Sequence, residues 1–75
     1  MSQRLRPLKP TIIIRALRRL GFEQIRQRGS HIYFRHPDGR TTVIPFHKGE
    51  DISKGLLKKI MQDIELTWED FLKFL

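Results

Sequence analysis

Apolar positions along this chain repeat first with a helical period and then with a strand period. From Thr11, the residues Ile13, Ala16, Leu17 and Leu20 recur at helical spacing, while Arg15, Arg18 and Arg19 share another face. Pro10 suits a first helical turn, where its missing N–H is not needed. Gly21 stands where a left-handed cap would close the helix, so the pattern predicts a first helix over residues 10–20. Three strand-like runs follow: "FEQIRQR" at 22–28, "HIYFRH" at 31–36 and "TTVIPFH" at 41–47. Gly29-Ser30 separates the first two. Pro37-Asp38-Gly39 separates the next two and matches a turn of two right-handed residues followed by one left-handed residue. Pro45 cannot donate a ladder hydrogen bond, which makes the third strand an edge there.

The loop "KGEDI" leads to Ser53 as an N-cap, and Leu56, Leu57, Ile60, Met61 and Ile64 form the apolar stripe of a second helix. Thr67 with Asp70 three residues on resembles a capping box for a short last helix, "WEDFLKFL", whose Trp68 reads as a hydrophobic lid. The order is α-β-β-β-α with a terminal helical turn or two. It predicts an α+β fold: a three-stranded antiparallel sheet with helices on one face. Residues 1–9 read as an extended basic arm with little to bury, and residues 10–75 as a single domain.

Strand alternation assigns the faces. Ile32 and Phe34 point one way and His31, Tyr33 and Arg35 the other. Thr42, Ile44 and Phe46 share a face opposite Val43, Pro45 and His47. With a three-residue loop at 37–39, His36 pairs with Arg40, Ile32 faces Ile44 and Phe34 faces Thr42, a register that gathers the strongest apolar residues on one buried face. His31 and His47 then become diagonal neighbours on the open face, roughly 7–8 Å apart.

Charge adds a direction to that face. Residues 1–49 carry 11 basic and 2 acidic side chains, +9, and residues 50–75 carry 4 and 6, −2, for a net +7. A basic body attracts polyanions, of which nucleic acid is the commonest, although charge of this size also serves solubility alone. The chain has 75 residues and no cysteine, so disulfides and thiolate metal sites are excluded and a reducing cytoplasm fits. Its longest purely apolar run, Ile12–Ile14, is far short of a membrane span or a signal-peptide core.

The stretch "RQRGSHIYFRHPDGR" therefore sets an imidazole on the open sheet face, beside a glycine hairpin and among Arg26, Arg28 and Arg35. Cleaving RNA without a metal needs a base for the 2′-hydroxyl proton, an acid for the departing 5′-oxygen and a cation at phosphorus. Histidine serves either proton role near neutral pH. Gly29 lets backbone approach a phosphate closely, and Tyr33 can stack on a splayed base. Each residue also has a plainer reading. A lone strand histidine in a basic protein is most often a polar surface residue, Tyr33 a cover for neighbouring strands, His36 a turn residue and the α-helical arginines a solvated face. Two histidines without a converging third ligand do not make a zinc site.

The segment "RQRGSHIYFRHPDGRTTVIPFHKGEDISKG" closely resembles the HicA, or YcfA-like, family of bacterial and archaeal type II toxins. The similarity extends through "LKPTIIIRALRRLGFEQI" before it and "LLKKIMQDIELTWEDFLKFL" after it. The Gly-Ser-His step, the "HPDGR" turn and the "PFHKG" element in that order carry the signal jointly. The resemblance implies a fold similar to a double-stranded-RNA-binding domain, and an mRNA endonuclease activity that arrests translation. It also implies a cognate HicB antitoxin that covers the active site. The family's catalytic histidine corresponds to His31, with Gly29 and Ser30 in the same motif, and His47 matches a frequent second histidine. The chain departs from many relatives at "QDIEL", where they carry a small-residue turn with glycine. The expectation is a metal-independent ribonuclease toxin without a cofactor or membrane association. In it His31 and His47 transfer protons, Arg26, Arg28, Arg35 and Lys48 hold phosphate, and Ser30 orients substrate. The rivals are a non-catalytic RNA-binding module of this fold and a basic protein that binds only an acidic partner.

Overall fold

A computed structural model of the chain describes residues 4–75. Its elements run α1 (Pro10–Arg19), β1 (Glu23–Arg28), β2 (His31–Arg35), β3 (Thr41–Pro45), α2 (Lys54–Ile64) and α3 (Trp68–Leu72). The strands form one antiparallel sheet in the order β1-β2-β3, and this is the α+β order expected. β3 stops at Pro45, two residues short of the predicted run, because the ladder ends at the ring that cannot donate. Ile32 faces Ile44, Phe34 faces Thr42, and the His36 N–H donates to the Arg40 carbonyl at 2.8 Å, as the alternation required. Ile32, Phe34 and Ile44 meet Ile13, Leu17, Leu57, Ile60 and Ile64 of the helices in a single core. Burying one such side chain contributes on the order of 2–3 kcal/mol.

β1 holds the one feature that alternation does not contain. Gln24 pairs with Phe34, but the next pair is Arg26 with Tyr33, so Ile25 is an extra residue in a β-bulge. Strict alternation would put Phe22, Gln24, Arg26 and Arg28 on one face. The bulge reverses parity after Gln24. Phe22 thereby stays in the core while Arg26 and Arg28 turn to the open face, and Ile25 is left 52% exposed.

The turn after β2 ties both main helices to the sheet. His36 Nδ1 accepts from the Asp38 N–H at 3.1 Å, which leaves the ring proton on Nε2, 3.2 Å from the Leu20 carbonyl at the end of α1. The imidazole stands edge-on to Phe22, with centroids 5.1 Å apart. Arg40 binds Asp38 at 2.8 Å, lies over the Phe22 ring and donates to the Ile64 carbonyl at the end of α2. His36 is thus a turn residue, in keeping with its plainer reading.

Both helices end in a Schellman motif. In α1, Gly21 adopts φ +101°, and Phe22 N–H reaches the Leu17 carbonyl at 2.9 Å. In α2 the left-handed position is Glu65, φ 59°, with Leu66 N–H on the Met61 carbonyl at 3.1 Å. Ser53 and Thr67 cap α2 and α3 through their hydroxyls, as their positions suggested. Trp68 is buried and stacks on Phe71. The N-terminal stretch buries more than expected: Leu8 is 7% exposed and forms a backbone bridge with Ile52.

Two predictions follow from these caps and turns. Glu65→Gly relieves a left-handed side-chain-bearing residue and should stabilise the fold by about 0.5–1 kcal/mol, read as a raised urea midpoint at unchanged slope. Asp38 titrates below its ordinary 3.8, chiefly because it accepts the Arg40 backbone N–H, aided by the Arg40 guanidinium. A carboxyl depressed on folding stabilises above its unfolded pKa and loses that effect as pH falls through the folded value. The stability gap between wild type and Asp38→Asn should therefore hold at neutral pH and close in strong acid.

Candidate functional site

The face opposite the core has no helix over it, and the β1–β2 hairpin shapes one end of it. Gly29 has φ +56° while Ser30 does not have positive φ, the sign pattern of a two-residue turn with glycine first. The tight turn pairs Arg28 with His31 directly. Arg26 pairs with Tyr33 and its guanidinium lies 4.5 Å from the ring centroid, a cation–π contact that holds both side chains on the open face. His31, Arg26 and Arg28 are exposed, and Tyr33 is half-buried.

The candidate residues divide into a near and a far group. His31 lines a cleft of about 210 Å³ between the strand ends and α2, with Val43, Pro45, Leu56, Lys59, Ile60 and Asp63. His47 does not line this cleft. It lies past the end of β3, with Nε2 3.5 Å from Ser30 Oγ, and borders a recess of about 270 Å³ that shares Pro45 and Leu56 with the first. Arg35 is on the same face as His31 but at the other end of β2, paired with Glu23 and Thr41. At about 3.3 Å per residue that is roughly 13 Å away along the strand. Lys48 lies in the β3–α2 loop, exposed beside His47, near the start of α1. The arginines of α1 line a groove of about 510 Å³ that contains none of the histidines.

Two residues of the cleft were outside the sequence reading. Lys59 and Asp63 sit one helical turn apart on α2, 3.6 Å between Nζ and Oδ2, and Thr42 Oγ1 donates to the same Oδ2 at 3.0 Å. The only signal in the sequence was an i,i+4 charge pair flanking Ile60 at the rim of the apolar stripe, and nothing in that spacing points to His31. Among the described residues, no three His, Asp or Glu side chains gather as a metal site. No helix of the described residues is long and apolar enough to cross a membrane.

The family described as the HicA toxin of bacterial toxin–antitoxin systems has a sequence model that matches residues 12–66 of the 75. The chain belongs to the HicA toxin family. It is the toxin member of a toxin–antitoxin pair, and an antitoxin is its partner class. A search of curated proteins gives no match. The HicA match spans α1 after its first two residues, the whole sheet and α2, so it includes His31, the hairpin turn and the His36–Arg40 clamp, and leaves out α3. Within the HicA region the family-like "HPDGR" element thus acts in the architecture, and Gly29 and His31 of the Gly-Ser-His step are exposed with Ser30 half-buried between them.

Proposed function

We propose that this HicA protein is an endoribonuclease that cuts mRNA without a metal ion, using His31 as general base or acid. The observation that carries the reading is His31 itself: an exposed imidazole in a cleft, on the sheet face left open by a one-sided core, with Arg28 directly across from it. The nucleophile is the RNA's own 2′-oxygen, already attached beside phosphorus, which gives a large proximity advantage. Its oxygen forms a bond to phosphorus, the bond from phosphorus to the 5′-oxygen breaks, the 2′-hydroxyl proton goes to the base, and the leaving 5′-oxygen takes a proton from the acid. His47 is the second proton-transfer group of this proposal. A nucleotide laid across the two adjoining recesses reaches both imidazoles. Gly29 and Ser30 bring backbone and a hydroxyl to the phosphate, Tyr33 stacks on a base, and Arg26, Arg28 and Lys48 hold neighbouring phosphates, with Arg35 further along the strand. A HicB-type antitoxin neutralises the toxin in the cytoplasm by covering this face.

The first test is a labelled mRNA incubated with purified wild type and His31→Ala, in EDTA. Wild type should cut and leave a 2′,3′-cyclic phosphate and a 5′-hydroxyl, while a folded His31→Ala should lose at least a hundredfold in rate. RNA bound but not cut by wild type would make the protein a binding module. Efficient cutting of a substrate with 2′-deoxy at the scissile position, or rescue by magnesium after chelation, would refute the mechanism. The second test is salt. Several phosphate contacts should lower affinity about tenfold or more between low and physiological salt, and charge reversal at Arg26 and Arg28 should weaken unrelated RNA sequences alike. Flat affinity across that range would remove the basic face from the account.

A further inference from the structure

The geometry points to Lys59 as the cation that meets the scissile phosphate, with Asp63 as the residue that positions it. This rests on the ribonuclease reading of His31 and adds to it a group on a different element. The cleft has polar side chains on two walls. His31 is on the strand side, and Lys59 and Asp63 are on the helix side, with the apolar Val43, Pro45, Leu56 and Ile60 between them. An anion held at His31 in that cleft also has the Lys59 ammonium on the α2 side of it.

Lys59 suits the role better than the cations of the sheet. Arg26 is paired with Tyr33 two residues along β2 from His31, and Arg35 stands at the far end of that strand. Lys59 is ion-paired with Asp63 Oδ2 at 3.6 Å, beyond hydrogen-bond reach, and its side chain stays 69% exposed. Its ammonium therefore keeps its N–H donors for phosphate oxygens. Asp63 is itself fixed by the Thr42 hydroxyl, which projects from the buried face of β3 at 3% exposure. The Thr42 hydrogen bond thus ties the Asp63 carboxylate to the sheet that carries His31, and that carboxylate draws the Lys59 ammonium to the same cleft. Such an arrangement holds charge where it develops on the nonbridging oxygens as the 2′-oxygen attacks, with no proton moved by Lys59. Arg28 is left to bind the neighbouring phosphate on the β1 side.

The test is steady-state cleavage of a short RNA by the full chain, comparing wild type, Lys59→Met, Lys59→Arg, Asp63→Asn and the Lys59→Met/Asp63→Asn double variant. Lys59→Met should lower kcat about a hundredfold, with KM within a few-fold, and Lys59→Arg should recover part of the loss. Sulfur in place of one nonbridging oxygen at the scissile phosphate should slow wild type about tenfold or more and add little to the slowing in Lys59→Met. Asp63→Asn should lose activity alone yet cost nothing further on top of Lys59→Met, since it acts through Lys59. Lys59→Met cutting within threefold of an active wild type, or a sulfur effect unchanged by that substitution, would overturn the role while leaving the nuclease reading intact. A wild type that cuts no RNA overturns both.

Discussion

The structure depends on a sheet that is buried on one side only. Three short strands and two main helices supply a single core, and that core takes Ile32, Phe34 and Ile44 from one face. Polar side chains could not be buried there without partners, at a cost of several kcal/mol each. The candidate side chains of the sheet, His31, Arg26, Arg28 and Tyr33, therefore lie on the other face. His31 is exposed because Ile32 is buried, and the strand period of two enforces both facts together.

That constraint made β2 and β3 readable from sequence. Their apolar positions allow one register, and the three-residue turn at Pro37-Asp38-Gly39 is consistent with no other. β1 was not readable in the same way. It is exposed along its whole length, so burial does not select a parity for "EQIRQR". Its bulge at Ile25 lies between the buried Phe22 and the arginines paired with Tyr33 and His31, a step that alternation does not signal. The diagonal approach of His31 and His47 was half right: the alternation is observed as far as Pro45, but β3 ends there and His47 turns to Ser30. Lys59 and Asp63 were invisible as site residues because the i,i+4 spacing of a helix carries no record of which strand it packs against.

The residues that make the chain look like a HicA toxin divide between two kinds of work. His36, Asp38 and Arg40 clamp the C-terminal ends of α1 and α2 to one turn. Gly29, Ser30 and His31 form a tight turn that places a single imidazole across from Arg28. Loss of the first group should loosen the frame, and loss of the second should leave the frame and remove the proposed chemistry. A family match alone does not separate these outcomes, because it covers both groups. The contacts do separate them: His36 and Arg40 bind helix carbonyls and Asp38 holds Arg40, whereas Gly29 and His31 are exposed.

The central claim is that the open sheet face, with the α2 wall beside it, receives RNA, and that the basic outer face of α1 does not. The most direct measurement is a nuclear magnetic resonance titration of the isotope-labelled protein with a 2′-O-methyl RNA that cannot be cut. The account predicts the largest shifts at Arg26, Arg28, Gly29, His31, Tyr33 and Lys59, with Arg15 and Arg18 nearly unmoved. Shifts centred on Arg15 and Arg18, with His31 and its neighbours unchanged, would contradict it.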